Sequence, residues 1–426
     1  MRKNSAGGTG RTTTQKMRTL SKMTTSNSKY TSTKIACYAG YFVQAIINNL
    51  ASLFYVIFQD EFGLNYSQIS WLILINFVSQ IFIDFASVKV IEKVGYRISI
   101  VFAHAFACAG LILLGILPRA FNNHFIGLVI PIIIYAIGSG LIEVLISPII
   151  EGLPLSNKSG EMAFLHSFYC WGQASVVLIT TFSIKLIGTE NWIYMPMLWA
   201  VIPFFNLFAF MRVPIVPPVP EGESEMKIPE LFREPTFIIC ALLMLCAGAS
   251  EIAMAQWASA FAEKSLGVSK FTGDLLGPCL FAVLMGSGRV LYGSFGDRLN
   301  LRRVLSLCAG LCIISYLMTS LVPIPLVSLV GCGLCGLSAS TMWPGIFSLS
   351  AKAFPKGGTA MFAMLAMFGD FGCAFGPWIT GILSDAAQAS PSITMDPLKF
   401  GLIFCIAFPI LMIILLNFTK SMKKVK

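Results

Sequence analysis

The sequence predicts an all-α polytopic membrane protein with twelve transmembrane helices in two six-helix halves. Three observations carry that expectation. Hydrophobic residues make up 56% of the 426-residue chain and charged residues only 12%, against about 25% charged in a soluble domain; mean hydropathy is +0.77. Apolar runs long enough to cross a bilayer, roughly 20 residues each, recur down the whole chain. The basic residues gather in alternate loops, the pattern of the positive-inside rule. The runs are continuous rather than alternating, which excludes a β-barrel, and helices satisfy their own backbone in lipid.

Residues 1–34 form a basic tail expected in the cytoplasm, with eight Lys or Arg and no acidic residue. Met17 and Met23 leave open whether residues 1–22 belong to the native protein. The tail is too long and polar for a secretory signal. The predicted N-terminal half, 35–211, holds spans at 35–58, 70–88, 98–117, 125–149, 163–186 and 192–211. A central cytoplasmic loop, 212–235, carries Pro214, Pro217, Pro218, Pro220 and Pro229 among mixed charges. The C-terminal half, 236–418, holds spans at 236–261, 275–292, 304–321, 325–349, 359–383 and 400–418. Residues 419–426 close the chain as a second basic tail. Predicted inner loops collect Lys89, Lys93, Arg97, Arg298, Arg302, Arg303, Lys352 and Lys356. Predicted outer loops and helix ends keep only Arg119, Lys185, Lys264, Lys270 and Lys399. The expected home is the plasma membrane, with both termini cytoplasmic.

The net charge of +10 does not imply nucleic-acid binding, because the basic residues are spread over loops and ends rather than over one patch. The twelve cysteines lie mostly inside apolar runs, where they serve as small hydrophobes. Cys332-x-x-Cys335 has no second pair nearby, so no metal or redox centre is expected. Gly138-Ser-Gly140 lacks the strand-turn-helix frame of a dinucleotide site. No P-loop, metal cluster or nucleophile–base pair is present, so neither an enzyme nor a cofactor is implied. Asn65-Tyr-Ser67 is a glycosylation sequon in an outer loop, meaningful only in a eukaryotic secretory route. Nothing in the sequence sets the oligomeric state, and a monomer is compatible with it.

The two halves repeat. Arg289, Asp297, Arg298 and Arg302 each stand 205 positions after Asp84, Glu92, Lys93 and Arg97, and Gly336 and Pro344 match Gly140 and Pro148 at another constant interval. Two six-span repeats point to a transporter whose site lies between them.

The stretch Gly140-Leu-Ile-Glu143, followed by Ser147-Pro148, sits inside the fourth span. An ionisable group at that depth costs about 2.5–3.5 kcal/mol to insert and is a functional-site hypothesis by default. Helical spacing puts Ser139, Gly140, Glu143 and Ser147 on one face, and Glu151 continues it. Burial disfavours the charged form, so Glu143 could load and release a proton; the alternative is a structural carboxyl hydrogen-bonded to a neighbouring helix. Gln44, Asn48, Ser52, Tyr55 and Gln59 share a face of the first span, suited to the hydroxyls of a polar solute. The alternative there is interhelical packing, worth about 0.6 kcal/mol per contact. Asn76 and Gln80 repeat that pattern on the second span. In the seventh span Glu251 is a second proton candidate, with Gln256 and Trp257 as solute contacts. They lie off its face, so a bent or broken helix is expected there. Asp370 is a third proton candidate, among Gly369, Gly372, Gly376 and Gly381, which permit close helix approach. Asp84, Arg289, Asp297 and Arg298 read as a gate or brace at the cytoplasmic face. His166 titrates near neutral pH but reads as structural.

The pattern Gly288-Arg289-x-x-x-Gly293-x-x-x-Asp297-Arg298-x-x-x-Arg302-Arg303 resembles the loop motif of the major facilitator superfamily, and the resemblance runs from about 35 to 418. Asn48-Asn49-Leu50 with Phe58-Gln59, Gly140…Glu143…Ser147-Pro148 and Gly248…Glu251…Gln256-Trp257 resemble stretches of its fucose–galactose–glucose/proton symporter family. Ser147 replaces that family's Asn, and Ser52 stands where it has an intramembrane acid. The resemblance implies a secondary active transporter that moves a small polar solute, such as a monosaccharide, with protons by alternating access. The departure at Ser52 leaves Glu143 to act alone or with Asp84, Glu251 or Asp370. The alternative is a proton-driven exporter of drugs or amphiphilic metabolites. Such exporters carry Gly-x-x-x-Gly-Pro in the fifth span; here the run Gly372 to Pro377 falls in the eleventh. A non-transporting sensor or membrane scaffold is the remaining alternative.

Overall fold

A computed structural model describes residues 30–154, 158–216, 226–295, 300–354 and 356–418. Among them twelve helices are long and apolar enough to cross a membrane. The first six are α1 (Thr31–Phe62), α2 (Tyr66–Ser87), α3 (Tyr96–Leu114), α4 (His124–Ile150), α5 (Phe164–Ile187) and α6 (Tyr194–Arg212). The second six are α7 (Pro235–Ser265), α8 (Lys270–Tyr292), α9 (Leu301–Leu321), α10 (Pro325–Ala353), α11 (Ala360–Ala389) and α12 (Pro397–Phe418). An even number of crossings returns the chain to the face where it began, so both ends lie on one face. The predicted spans agree to within a few residues. The helices overrun the apolar runs where polar residues keep winding, as in α1 and α11.

Local chemistry sets several ends. Asn65, Asn123 and Asn300 accept the backbone N–H three residues on, at 2.8, 3.2 and 3.2 Å, capping α2, α4 and α9. Asn65, the residue of the sequon, is thus engaged as a helix cap. Proline occupies the first turn of α7, α10 and α12, where its missing N–H is harmless. Gly63, at φ 68°, closes α1.

The internal repeat is physical as well as textual. The Arg97 guanidinium, at the start of α3, donates to Phe210, Met211 and Val213 carbonyls at the end of α6, at 2.9, 2.9 and 2.8 Å. Arg302, at the start of α9, donates from Nε to the Leu416 carbonyl at the end of α12, at 3.0 Å. Both arginines satisfy carbonyls that a helix end leaves free. The matched glycines also share a task. A Cβ on Gly140 would press on Gln80, Ile83 and Asp84 of α2, and one on Gly336 would strike the backbone of Phe281 in α8. The second half therefore requires a glycine where its fourth helix crosses its second, and in the first half the matching glycine keeps the same crossing uncrowded.

The halves meet along two extended seams, α2 against α11 and α5 against α8, and α1 meets α7 near the face opposite the termini. Within the second half α7 and α11 pack closely: a Cβ on Gly248 would strike the Gly369 carbonyl, and one on Gly372 the Leu245 carbonyl. Large apolar side chains such as Phe82, Phe205 and Leu307 point outward, where the fold places lipid. All twelve cysteines are free, and Cys312 and Cys335 stand with sulfurs 4.0 Å apart.

Candidate functional site

The first helix is interrupted. Residues Ala51–Phe54 wind as a tight 3-10 turn before the helix resumes at Tyr55. The polar face predicted for this span meets several different partners, Gln44 and Asn48 before the interruption and Tyr55 after it. Gln44 Nε2 donates to Glu143 Oε2 at 2.6 Å, joining α1 to α4. One turn on, Asn48 Oδ1 accepts from Asn76 Nδ2 at 3.3 Å and Gln80 Nε2 at 3.1 Å, joining α1 to α2. Ser139 Oγ donates to Gln80 Oε1 at 2.9 Å and adds α4. Past the turn, Tyr55 Oη donates to Gln256 Oε1 at 2.7 Å, while Gln256 Nε2 donates to the Asn48 carbonyl at 2.6 Å. Gln256 thus ties α7 of the second half to α1 of the first. A small cavity opens on Asn48, Tyr55, Asn76, Tyr135 and Gln256, with apolar walls from Ile47, Leu72, Ile73, Phe77 and Ile132. Its polar groups are neutral amides and hydroxyls, each able to donate or accept. Asn76 Oδ1 is buried without a partner.

Ser52 and Trp257 lie elsewhere. Ser52 turns back to the Asn49 carbonyl at 2.7 Å. Trp257 is fully buried; its Nε1 donates to the Pro377 carbonyl at 3.0 Å, and its ring packs on Tyr55 and Tyr66. The break expected around Glu251–Trp257 is absent, since α7 runs as regular α-helix to Ala260 before a π-helical turn. Three residues without a break cannot converge, so Gln256 alone of them reaches the cavity. The interruption the site uses is in α1.

Deeper toward the face with the termini, carboxyls gather. Glu143 is half-buried, while Asp84 and Asp370 are each 3% exposed. Asp84 of α2 and Asp370 of α11 face each other at hydrogen-bonding range across the seam, with Glu143 as neighbour. No protein donor reaches either oxygen of Asp84 or Oδ2 of Asp370. Gly140 makes the arrangement possible, because its missing Cβ lets α2 bring Asp84 against α4.

Glu251 belongs to a separate group. Its Oε1 lies 3.6 Å from Arg289 Nη2. Arg289, expected near a loop, lies inside the protein, 8% exposed. Its Nη1 donates to the His166 carbonyl of α5 at 3.3 Å. The His166 ring stacks edge-on against Tyr41, whose hydroxyl lies 2.8 Å from Ser147 Oγ. Asp297 and Arg298, the other expected gate residues, lie outside the described residues, as do the side chains of Glu92 and Glu151.

The face opposite the termini is sealed. Lys270 Nζ lies 3.3 Å from Asp274 Oδ2 and donates to the Leu53 carbonyl at 2.6 Å. Thr181 Oγ1 of α5 donates to Asp274 at 2.8 Å, and Ser259 is its further partner. Asp385 of α11 accepts the Tyr66 and Ser67 N–H groups at 3.2 and 2.8 Å, capping α2 across the seam. Lys264 pairs with Asp60 at 2.9 Å. At the other face, among the described residues, α4 and α10 form no comparable packed pair. The sequence reading missed Tyr135, Thr181, Asp274 and Asp385. Tyr135 was findable, standing four residues before Ser139 and eight before Glu143 on one helical face; the other three matter only through partners far away in the chain.

Comparison with known proteins bears on this geometry. The structure resembles that of the E. coli fucose:proton symporter FucP, at a TM-score of 0.65 and 16% identity over 92% of this chain and 100% of that one. It resembles a D-xylose-proton symporter at 0.75 and 15%, over 92% and 97%. It also resembles the nucleoside transporter NupG at 0.69 and 12%, over 91% and 100%. At these identities the likeness is one of fold. No curated protein sequence resembles the chain closely enough to count as a match. The sequence signature of the Major Facilitator Superfamily matches residues 37–377 and 276–424. With twelve helices in the matching fold and that signature over most of its length, the chain is an integral membrane transporter, not an enzyme, and belongs to the Major Facilitator Superfamily.

Proposed function

We propose that this transporter takes up a small, polar, hydroxyl-bearing solute, such as a monosaccharide, together with protons. The two halves would rock about the Asn48–Gln256 contact by alternating access. The observation that carries the reading is the cavity itself. Asn48, Asn76, Tyr55 and Gln256 offer neutral donors and acceptors drawn from both halves, the inventory that hydroxyl groups need, and Gln80 holds Asn48 from behind. Tyr135 adds an aromatic wall. Each of these hydrogen bonds can be exchanged for one to a solute hydroxyl, so binding and inter-half contact compete.

Proton coupling is assigned to the carboxyls. Carboxyls brought this close favour holding a proton between them. Gln44 ties Glu143 to α1 one helical turn from the cavity residue Asn48, so movement of α1 on solute binding reaches Glu143. Asp370 and Asp84 lie on opposite sides of the seam, so a proton shared between them would sit where the halves separate. Solute-proton symporters of sugars are among the structural neighbours, in line with this reading. Both termini are assigned to the cytoplasm and the protein to the cell membrane, on the distribution of basic residues. The run Gly372 to Pro377 serves the α7–α11 crossing, which accounts for it without an exporter.

The test is solute-induced proton movement in proteoliposomes, with monosaccharides, polyols and organic acids added singly and Glu143→Gln in parallel. Uptake of protons with one solute class, lost in the variant, is the expected result. Silence across the panel with folded protein would overturn the reading.

A further inference from the structure

Among the described residues, Arg289 is the one lysine or arginine with less than a tenth of its surface exposed. A guanidinium has five N–H donors in a fixed fork and keeps its charge. At membrane depth such a group is costly, and a structural one is expected to be fully paired. Arg289 is not. Its nearest carboxylate oxygen, on Glu251, is 3.6 Å away, against about 2.7–2.9 Å in a tight charged pair. Its other contacts are the His166 carbonyl at 3.3 Å and the Met285 sulfur, a weak acceptor, at 3.6 Å. Arg289 Nε and Glu251 Oε2 are both buried and have no partner. A brace at this position would close the fork on the carboxylate; here a donor and an acceptor are left over on each side of a loose pair. The pair also sits on the α5–α8 seam, with His166, Tyr169 and Cys170 of α5 against it, so a group held there touches both halves.

We propose that Arg289 and Glu251 form a carboxylate subsite, in which the guanidinium takes the carboxylate of a small hydroxylated organic acid. The proposal rests on the transporter reading above and narrows its solute to acids. Charge balance gives the step its form. The solute carboxylate brings a negative charge to a guanidinium already neutralised by Glu251. A proton from the medium forms an O–H bond on Glu251, its ion pair with Arg289 is lost, and the solute's ion pair replaces it. One acid anion and one proton then occupy the site with no net change of charge. The other titratable groups facing the pair are the Tyr41 and His166 rings toward Arg289, Tyr169 and Cys170 from α5, and Cys373 from α11. Gln256 lies five residues further along α7 and off the Glu251 face, so the groups that face the pair and can meet the acid's hydroxyls are the Tyr41 and Tyr169 hydroxyls.

The experiment is direct binding to the purified protein, measured calorimetrically with gluconate, glucuronate and lactate against sorbitol and glucose. Wild type, Arg289→Lys, Arg289→Gln and Glu251→Gln are compared, with folding checked by thermal melts. The expected result is at least tenfold tighter binding of the acids than of their neutral counterparts. Arg289→Gln loses that preference, and Arg289→Lys keeps part of it. Glu251→Gln still binds the acid but no longer takes up a proton on binding. Equal binding of acids and neutral sugars, unchanged in Arg289→Gln, overturns the subsite and leaves the transporter reading intact. Binding of neither class by folded protein overturns both. Should Arg289→Gln fail to fold, the acid-to-neutral ratio in wild type and Arg289→Lys decides: no preference overturns the proposal.

Discussion

Glu143 was legible as a residue and illegible as a contact. A carboxyl inside a 27-residue helix of mostly apolar composition stands out in any reading, because inserting it is costly. That Gln44 would donate to it depended on the rotation of α1 against α4. Glu143→Gln keeps the shape and can still meet Gln44, so folding, solute affinity and the proton taken up at Glu251 on binding should stay within a few-fold of wild type while solute-driven proton flux across the membrane is lost; paired binding and flux measurements check this. Asn48→Ala removes one acceptor shared by two amides. Leaving buried donors unmatched costs about 1–3 kcal/mol. Solute Kd should rise about tenfold, and the melting temperature should fall; an unchanged Kd would take Asn48 out of the solute site. Ser52 shows the converse limit: its residue type and helical phase suited the site, yet its hydroxyl is spent on its own helix.

Helices supply the second scale. The spans were readable from apolar length, and the repeat interval named Arg97 and Arg302 as counterparts before their shared role as clamps on α6 and α12 was visible. Replacing Arg302 by Ala removes its bond to the Leu416 carbonyl at the end of α12 and should lower thermal stability, as Arg97→Ala should at α6; melts of the two variants would test whether the clamps are equivalent. Glycines carry more than the sequence declares. Gly140→Leu would press α4 off α2 through Gln80, Ile83 and Asp84, so it should abolish transport even where expression survives, which a flux assay on surface-exposed protein would establish. The interruption in α1 was not legible: Ala-Ser-Leu-Phe carries neither proline nor glycine, and the reading placed the break in α7. Packing against α7 and the Lys270 contact to the Leu53 carbonyl decide it instead.

At the scale of the whole molecule, the far face is held shut by groups from both halves. Asp274 is 1% exposed and its partner Lys270 15%, and each also reaches the first half, through Thr181 and Leu53. The pair itself lies within α8, but the Lys270 bond to the Leu53 carbonyl joins the halves, and a hydrogen bond from a charged donor is worth about 1.5–3 kcal/mol that only the closed state has. Lys270→Met should therefore shift the population toward opening at that face. Distances between spin labels on the ends of α1 and α7 would lengthen, and no change would show that the seal does not rest on this pair.

The sequence by itself determined the material of this protein. Apolar length and charge placement specify twelve helices, their common sidedness and a two-fold repeat, because lipid leaves a helix few alternatives. Rare polar residues in apolar runs marked Asn48, Asn76, Gln80, Glu143, Gln256 and Asp370, since each is costly wherever it lies. Tertiary structure alone decided which of them meet. Helical phase states which face a residue occupies, but the neighbour of that face follows from how twelve helices are rotated and crossed. Gln44 went to Glu143 and not to the cavity, Asp84 to Asp370 across the seam, and Arg289 from an expected loop gate to a buried pair with Glu251. Those assignments rest on contacts between residues tens to hundreds of positions apart, and no local pattern encodes them.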